Sequence, residues 1–398
     1  MKKRICLFLF IIPIAIFAQN KNFSFKYMEG EKYRVLSEVD EQVFIDGVFI
    51  QRVSILNKIA IEVDEASQDG GFLKANFQVS EREYNIEGPY QLTEEYYSEY
   101  WRDKYGITDI GPQFYMPVVR NVPVFPGYSL KIGDTWSEAG EEVHDLSSLG
   151  IKEAFHFPII VNYKYLGKTE FEDSEYETFS VQYNIFFKPP RVYNAPRYYP
   201  VRISGYSDQL VYWDEKFGRP YAYVENFNLI FDFADGGSFE ALGSAQAKVV
   251  ESGLMDKEKL IDEIQSHIDE QGLEDTGVSG NDEGVTITLS DIQFLPDSAI
   301  LVEDEKRKLI TISEILKRYP ERDIVVTGHT AMAGTYEGRQ LLSVERAKAV
   351  GDFLLSQGAR DQTQMIIKGV GGTRPIADNS SEEGMKQNRR VEITILEN

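Results

Sequence analysis

Residues 324–350 contain the best candidate ligand-binding site in this sequence, and two residues, an arginine and an alanine, determine what it could bind. Residues 324–350 run from an apolar strand, through a loop of small residues, into a helix that carries Arg346. Arginine presents a planar fork of donors that matches a carboxylate, so Arg346 is a candidate to bind an acidic group. The position after Gly328-His329-Thr330 is Ala331. This loop therefore offers no acid to a cationic group on the same ligand.

Structural roles for the same side chains stay open at this stage. Arg346 could pair with an acid of its own domain. Arg389 and Arg390 precede an apolar segment and could hold the edge of a sheet. His329 could hydrogen-bond the backbone at a strand end.

No pattern in the sequence points to catalysis. The four histidines show no metal-ligand spacing, and there is no GxSxG nucleophile motif. We therefore expect no catalytic residue, no metal and no cofactor. Residues 189–202 interleave three arginines with three tyrosines. They could bind a sugar or a protein, but a Pro-rich loop packed by its own tyrosines is the favoured interpretation.

Charge narrows the choice of partners. The chain has 398 residues and a net charge of −22, and the negative excess falls mainly before residue 283. Such a surface repels nucleic acid and anionic lipid, so we expect no nucleic-acid partner.

The first residues resemble an export signal. Three basic residues precede an apolar run that is too short to span a membrane, so residues 1–18 are predicted to be a signal peptide. Cys6, the single cysteine, lies inside that run, so the mature chain would have no disulfide. We expect a periplasmic product, with association to the outer membrane left open.

Residues 22–250 alternate apolar and polar side chains, which predicts a β-rich domain of the sandwich type. Asp46-Gly47 between two apolar triplets predicts a tight hairpin. A division into two β units near residues 140–152 is left open. A membrane barrel shares the alternation, but charges fall on both faces of these strands and favour a soluble domain.

The last part of the chain changes character twice. Residues 251–283 are acidic, with a narrow apolar stripe followed by several glycines, and predict a short helix and a flexible linker. From residue 284 the pattern becomes strand, helix, strand, helix, strand. Residues 284–398 are therefore predicted to form an α+β domain.

Five ordered segments of this domain resemble one known family. They are similar to the peptidoglycan-associating, OmpA-like C-terminal domain, and the resemblance covers residues 284–398. The segments are IQFLPDSAIL (292–301), GHT (328–330), LSVERAKAV (342–350), GVGGTRPIADN (369–379) and NRRVEITI (388–395).

The resemblance implies a βαβαβ sandwich that binds the stem peptide of peptidoglycan without covalent chemistry. In such domains an aspartate takes the amine of diaminopimelate, and the arginine of the LSxxRA motif takes its carboxylate. Arg346 matches that arginine, whereas the aspartate position is Ala331 and a usual asparagine is Arg339. The implied ligand-binding positions are Thr330, Ala331, Arg339, Arg346, Asn388 and Arg389.

The resemblance thus implies a non-enzymatic envelope protein, with weak or altered wall binding because of Ala331. The GHTA sequence is similar to spirochaete members, whose walls carry ornithine instead of diaminopimelate. The alternative function is an envelope scaffold whose OmpA-like domain no longer binds peptidoglycan. Other envelope proteins are then candidate partners of the β-rich domain.

Overall fold

The computed structural model describes residues 20–250, 255–281, 283–290, 292, 294 and 299–397. The predicted signal peptide, residues 1–18, lies outside the described residues. Within these ranges no helix is both long enough and apolar enough to cross a bilayer.

Twelve strands make up the described part of the β-rich region, and alternation of apolar residues produces them as predicted. They are β1 (Lys32–Ile45), β2 (Val48–Ala66), β3 (Gly70–Glu83), β4 (Tyr90–Asp103), β5 (Thr108–Ile110), β6 (Val119–Arg120), β7 (Thr135–His144), β8 (Phe155–Phe171), β9 (Ser174–Phe187), β10 (Pro200–Asp214), β11 (Arg219–Phe233) and β12 (Ser238–Val250).

The long strands pair antiparallel in the order β4-β3-β2-β1-β12-β11-β10-β9-β8-β7. Short β5 pairs with edge strand β4, and short β6 pairs with edge strand β7. Residues 108–120 therefore run from one edge of the sheet to the other. The predicted hairpin is confirmed: Ile45 pairs with Val48, and Asp46 and Gly47 both have positive φ, at 53° and 75°.

Two details of the β prediction need correction. The all-β character is right, but these strands form one continuous antiparallel sheet instead of two separately bonded sheets. The possible division at residues 140–152 falls within a hairpin, because β7 and β8 pair from Thr135–Lys164 to His144–Phe155. The aromatic core lies on the inner face of the sheet, with Phe179 and Trp213 among its buried members.

The C-terminal region alternates helices and strands, as the sequence predicted. Its elements are α1 (Lys257–Gln271), β13 (Thr276–Gly280), β14 (Gly284–Ser290), α2 (Glu303–Leu316), β15 (Ile324–Gly328), α3 (Tyr336–Ser356), β16 (Met365–Gly369), α4 (Glu382–Asn388) and β17 (Arg390–Leu396). The sheet order is β13-β14-β17-β15-β16, with β15 and β16 parallel and the other pairs antiparallel.

The predicted linker is largely part of this domain. Leu260, Ile264 and Ile268 of α1 are buried in the same apolar core as the strands β14, β15 and β17. The glycine-rich segment after the helix forms β13, which pairs with β14 over five residues. Helix α1 and β13 therefore belong to the C-terminal domain. Residues 251–254 and 282 of the predicted linker lie outside the described residues.

Replacing Ile264 with alanine tests this assignment. Ile264 is fully buried, so the change removes apolar contacts and leaves a cavity, at an expected cost of about 2–5 kcal/mol in the free energy of unfolding. Glu270→Ala, on the exposed side of the same helix, is the matched control and should change it by less than about 0.5 kcal/mol. Urea unfolding measures both. Equal effects of the two variants would mean that α1 does not share the core.

The two regions are in direct contact. Strand β4 pairs in parallel with β16 at Tyr90–Ile366 and Gln91–Ile367. Asp323, buried at the start of β15, lies 2.6 Å from Arg34 Nη2 and 2.9 Å from Lys58 Nζ of the β-rich region. The C-terminal sheet is therefore extended by a strand of the β-rich region, and a buried carboxylate joins the two.

Candidate functional site

Helix α3 carries Arg339 and Arg346 and lies unusually close to the sheet. A Cβ on Gly328 would lie 2.0 Å from the Ser343 carbonyl oxygen, and one on Gly369 would lie 2.5 Å from a methyl group of Val344. Glycine at both positions lets the helix touch the backbone of β15 and β16. The helix begins at Tyr336, where the Thr335 side chain accepts a hydrogen bond from Gly338 N at 3.1 Å. The position of the helix is thereby fixed.

The Arg346 guanidinium lies half-buried over the Phe294 ring, 4.9 Å from its centroid. Among the described residues, its buried Nε atom has no hydrogen-bond partner and no carboxylate lies within ion-pair distance of the guanidinium. Burial, together with the nearby charge of Arg389, lowers the pKa of Arg346, yet a guanidinium stays protonated in proteins. In the described part of the chain, Arg346 therefore forms no ion pair with an acid of its own domain.

Ala331 and Arg339 come together around Gly372. A Cβ on Gly372 would lie 3.3 Å from the Ala331 carbonyl oxygen and 3.4 Å from Arg339 Nε. Arg339 Nη1 donates to the Gly334 carbonyl at 2.6 Å, whereas its buried Nε has no partner among the described residues. Arg339 precedes Arg346 by seven residues, so both lie on one face of α3, about 10 Å apart along its axis.

Thr330 and Asn388 shape the loop beside this face. Thr330 is buried, and its backbone N–H donates to the Gly371 carbonyl at 2.9 Å. Asn388 is fully buried, and its Oδ1 accepts from the N–H groups of Ile376 at 2.7 Å and Ala377 at 3.0 Å. Its Nδ2 donates to the Ala377 carbonyl. Asn388 therefore fixes the loop that borders the arginines.

The His329 side chain lies beside a carboxylate, whereas the sequence had suggested a hydrogen bond to the backbone. Its Nε2 lies 3.2 Å from Glu392 Oε2, and burial lowers the pKa of His329 below its usual value. Burial alone would raise the pKa of Glu392, but His329 and Arg390 outweigh it and hold that pKa at about 2. Arg390 Nε donates to Glu392 at 2.7 Å. At neutral pH, Glu392 is thus ionised and paired with a buried cation.

Glu392→Gln is expected to destabilise the protein in a pH-dependent way. Because the folded pKa of Glu392 is depressed, its contribution is present above the unfolded value near 4.5 and is lost as pH falls towards 2. We expect a loss of about 2–3 kcal/mol at pH 7 that shrinks steadily below pH 4.5. Urea unfolding of both proteins at pH 7, 5 and 3 measures it. A difference that is constant with pH would contradict the assignment.

The arginine-rich and tyrosine-rich segment at 189–202 is mostly engaged with its own domain. Tyr198 packs edge-on against Phe233, and Tyr199 packs against Phe155. Its arginines pair with neighbouring acids, Arg197 with Asp235 and Arg202 with Asp232. The interpretation of a loop packed by its own tyrosines holds for Tyr199, whereas Tyr193 is 93% exposed and does not pack.

Sequence reasoning missed several contributors to the site. The stacking of Arg346 on Phe294 joins residues 52 positions apart, and no local pattern signals it. Glu392 could have been found, because Arg390 and Glu392 alternate along a strand and must share one face. In the described ranges no three His, Cys, Asp or Glu side chains form a group that could hold a metal.

The fold and the site define a small α+β domain that presents clustered arginines beside a glycine-rich loop. Residues 293–389 match the OmpA family. The chain is 37% identical over 123 residues to the probable lipoprotein YiaD of Escherichia coli, covering 30% of this chain and 56% of that protein. It is 33% identical over 118 residues to the peptidoglycan-associated lipoprotein of Brucella melitensis, covering 29% of this chain and 69% of that protein. The chain belongs to the OmpA family.

A solved outer-membrane protein from Borrelia burgdorferi shows 32% identity and a TM-score of 0.26, covering 30% of this chain and 96% of that one. Of the two relatives compared by sequence, this chain spans about half the length of YiaD and over two thirds of the Brucella lipoprotein. All these matches cover less than a third of this chain. The β-rich region lies outside the residues that match the OmpA family.

Proposed function

We propose that the chain is a non-enzymatic envelope protein of the periplasm whose C-terminal domain associates with peptidoglycan. The observation that carries the proposal is Arg346, a half-buried cation without an acidic partner among the described residues. A relative in the same family is named for its association with peptidoglycan. A wall peptide supplies the carboxylate that such a cation lacks.

The site would bind the two charged groups of diaminopimelate, its carboxylate and its amine, unequally. Arg346, with Arg389 nearby, suits the carboxylate of diaminopimelate. The amine would meet Ala331 and the guanidinium of Arg339, both of which border Gly372. Repulsion from Arg339 is on the order of 1 kcal/mol in a screened, water-exposed setting. We therefore infer that wall binding is weak or altered compared with family members that carry aspartate at this position.

The second candidate function is an envelope scaffold that no longer binds the wall. One observation favours it: strand β16 at the edge of the C-terminal sheet is already paired with β4, so the domain serves as a docking partner within its own chain. In that case the β-rich region would engage other envelope proteins. Association with the outer membrane is part of either proposal.

Sedimentation of the full chain with intact peptidoglycan sacculi separates the two functions. We expect the protein to sediment with diaminopimelate sacculi and to be released by excess free stem peptide. Sacculi that contain ornithine lack the side-chain carboxylate and should retain less protein. Equal retention on both walls would contradict the role of the carboxylate, and no retention on either would favour the scaffold.

A further inference from the structure

The inner face of the β-rich sheet lines a cavity of about 370 Å³. Its wall is built from strands β1 to β4 on one side and β10 to β12 on the other. Protein interiors are close-packed and contain few voids larger than a water molecule. Cavities of about 300–1,000 Å³ are typical of small-molecule sites. The cavity therefore has the size of a ligand site.

The segment between the two sheet edges closes the cavity. Residues 116–123 line it, and this cover is attached to both edge strands of the sheet. Ser98 Oγ on β4 donates to the Met116 carbonyl at 2.6 Å, and Val143 N on β7 donates to the Val118 carbonyl at 2.8 Å. The cover is thus part of the fold and holds the space open behind it.

Most of the wall is apolar, and its side chains keep surface that the protein does not cover. Val35, Ile59, Ile61, Val79 and Val249 all line the cavity and are half-buried. A packed core would bury such residues completely. Their uncovered surface faces the cavity, which suits an apolar chain.

One cation in the wall lacks a counter-charge. Arg102 Nε donates to the Tyr27 hydroxyl at 2.9 Å, and its guanidinium lies 4.2 Å from the centroid of the Phe25 ring. Among the described residues no carboxylate lies within ion-pair distance of Arg102. A guanidinium in an apolar surrounding is costly unless an anion pairs with it.

The other arginines of the wall are already engaged. Arg120 Nη1 lies 3.4 Å from Glu141, and Arg219 Nη1 lies 2.8 Å from Glu31. Lys248, which also lines the cavity, pairs with Glu172 at 2.8 Å. Arg102 is therefore the cation in the described wall that is available for a ligand.

The carboxyl group in the wall belongs to Glu225. It accepts hydrogen bonds from Ser207 Oγ at 2.6 Å and Gln209 Nε2 at 3.1 Å, and burial raises its pKa. Glu225 is thus held by polar neighbours on β10 and makes no ion pair with Arg102.

We propose that this cavity binds an amphiphilic anion, that is, an unbranched apolar chain with one carboxylate or phosphate group at its end. The chain occupies the space lined by β1, β2 and β12, and the anionic group pairs with Arg102. The site is independent of the wall-binding proposal, because it uses no residue of the C-terminal domain.

Calorimetry on the full chain with dodecanoate, dodecyl phosphate and dodecanol tests the proposal. The three probes share one chain and differ in the head group. We expect both anions to bind about tenfold or more tightly than the alcohol, since a charge-assisted pair is worth that much. Tighter binding of dodecanoate would indicate a fatty acid as the ligand, and tighter binding of dodecyl phosphate would indicate a phospholipid-type head group.

Two variants locate the ligand. Arg102→Met should weaken the anions about tenfold and leave dodecanol unchanged, while Arg191→Met, at an exposed arginine of the same region, should change nothing. Ile59→Trp should fill the cavity and abolish binding of all three probes, with a retained cooperative unfolding transition as proof of folding. Absence of binding by the native chain, equal affinity for alcohol and anions, or binding that survives Ile59→Trp would overturn the proposal.

Discussion

Asp323→Ala is expected to destabilise the full chain by about 3–5 kcal/mol, because it leaves the buried cation of Lys58 without its anion. Asp323 is 5% exposed and Lys58 is also 5% exposed. Arg34 Nη2 and Lys58 Nζ both lie within 3 Å of its carboxylate. Removing one charged side chain from a buried ion-pair cluster lowers the free energy of unfolding far more than removing one from a surface pair.

Asp352→Ala is the matched control for this change. Asp352 pairs with Lys348 on the surface of α3, where both side chains are nearly half exposed. It should cost no more than about 0.5 kcal/mol. Adding Lys58→Met should recover part of the loss caused by Asp323→Ala, since it removes one orphaned charge. Urea unfolding measures all of these. If Asp323→Ala matches Asp352→Ala, the two regions are not joined through this carboxylate.

Ala331→Asp is expected to increase the affinity for a diaminopimelate stem peptide about tenfold or more. The new carboxylate would face the ligand amine and offset the charge of Arg339, which borders the same glycine. A charge-assisted hydrogen bond contributes about 1.5–3 kcal/mol. Calorimetry with the free peptide compares the native and variant chains.

Arg346→Ala in the Ala331→Asp chain should then remove most of that gain, because the carboxylate of the ligand would lose its cation. Met332→Asp, one residue further along and exposed, controls for added negative charge in the loop. Tight binding by the native chain would mean that other groups supply the missing anion. No gain in the variant would mean that the loop has a different shape in the bound state.

Local patterns predicted the elements well where one residue type determines the backbone. Asp46-Gly47 formed the predicted hairpin, because these residues adopt positive φ at little cost. The strand and helix order of the C-terminal domain followed from periodicity. Helix α1 was predicted as a helix but grouped with the linker because of its many acids, although Leu260, Ile264 and Ile268 are sufficient to pack it on the sheet.

Long-range features could not be obtained in this way. Arg34 and Asp323 lie 289 positions apart, and no local pattern indicates that they meet. The cavity is hidden for another reason, because alternating apolar residues look the same whether the inner face is packed or hollow. The family resemblance indicated Arg346. Only the three-dimensional structure shows that Arg346 contacts Phe294 and that helix α3 lies against Gly328.

The most direct test of the proposed function is sedimentation of the full chain with diaminopimelate sacculi, comparing the native protein with Arg346→Ala. Arg191→Ala, at an exposed arginine of the β-rich region, is the control for loss of one positive charge. We predict that Arg346→Ala lowers the bound fraction about tenfold at limiting wall concentration, while Arg191→Ala sediments like the native chain. Equal sedimentation of all three proteins would contradict the assignment of Arg346 as the group that binds the wall.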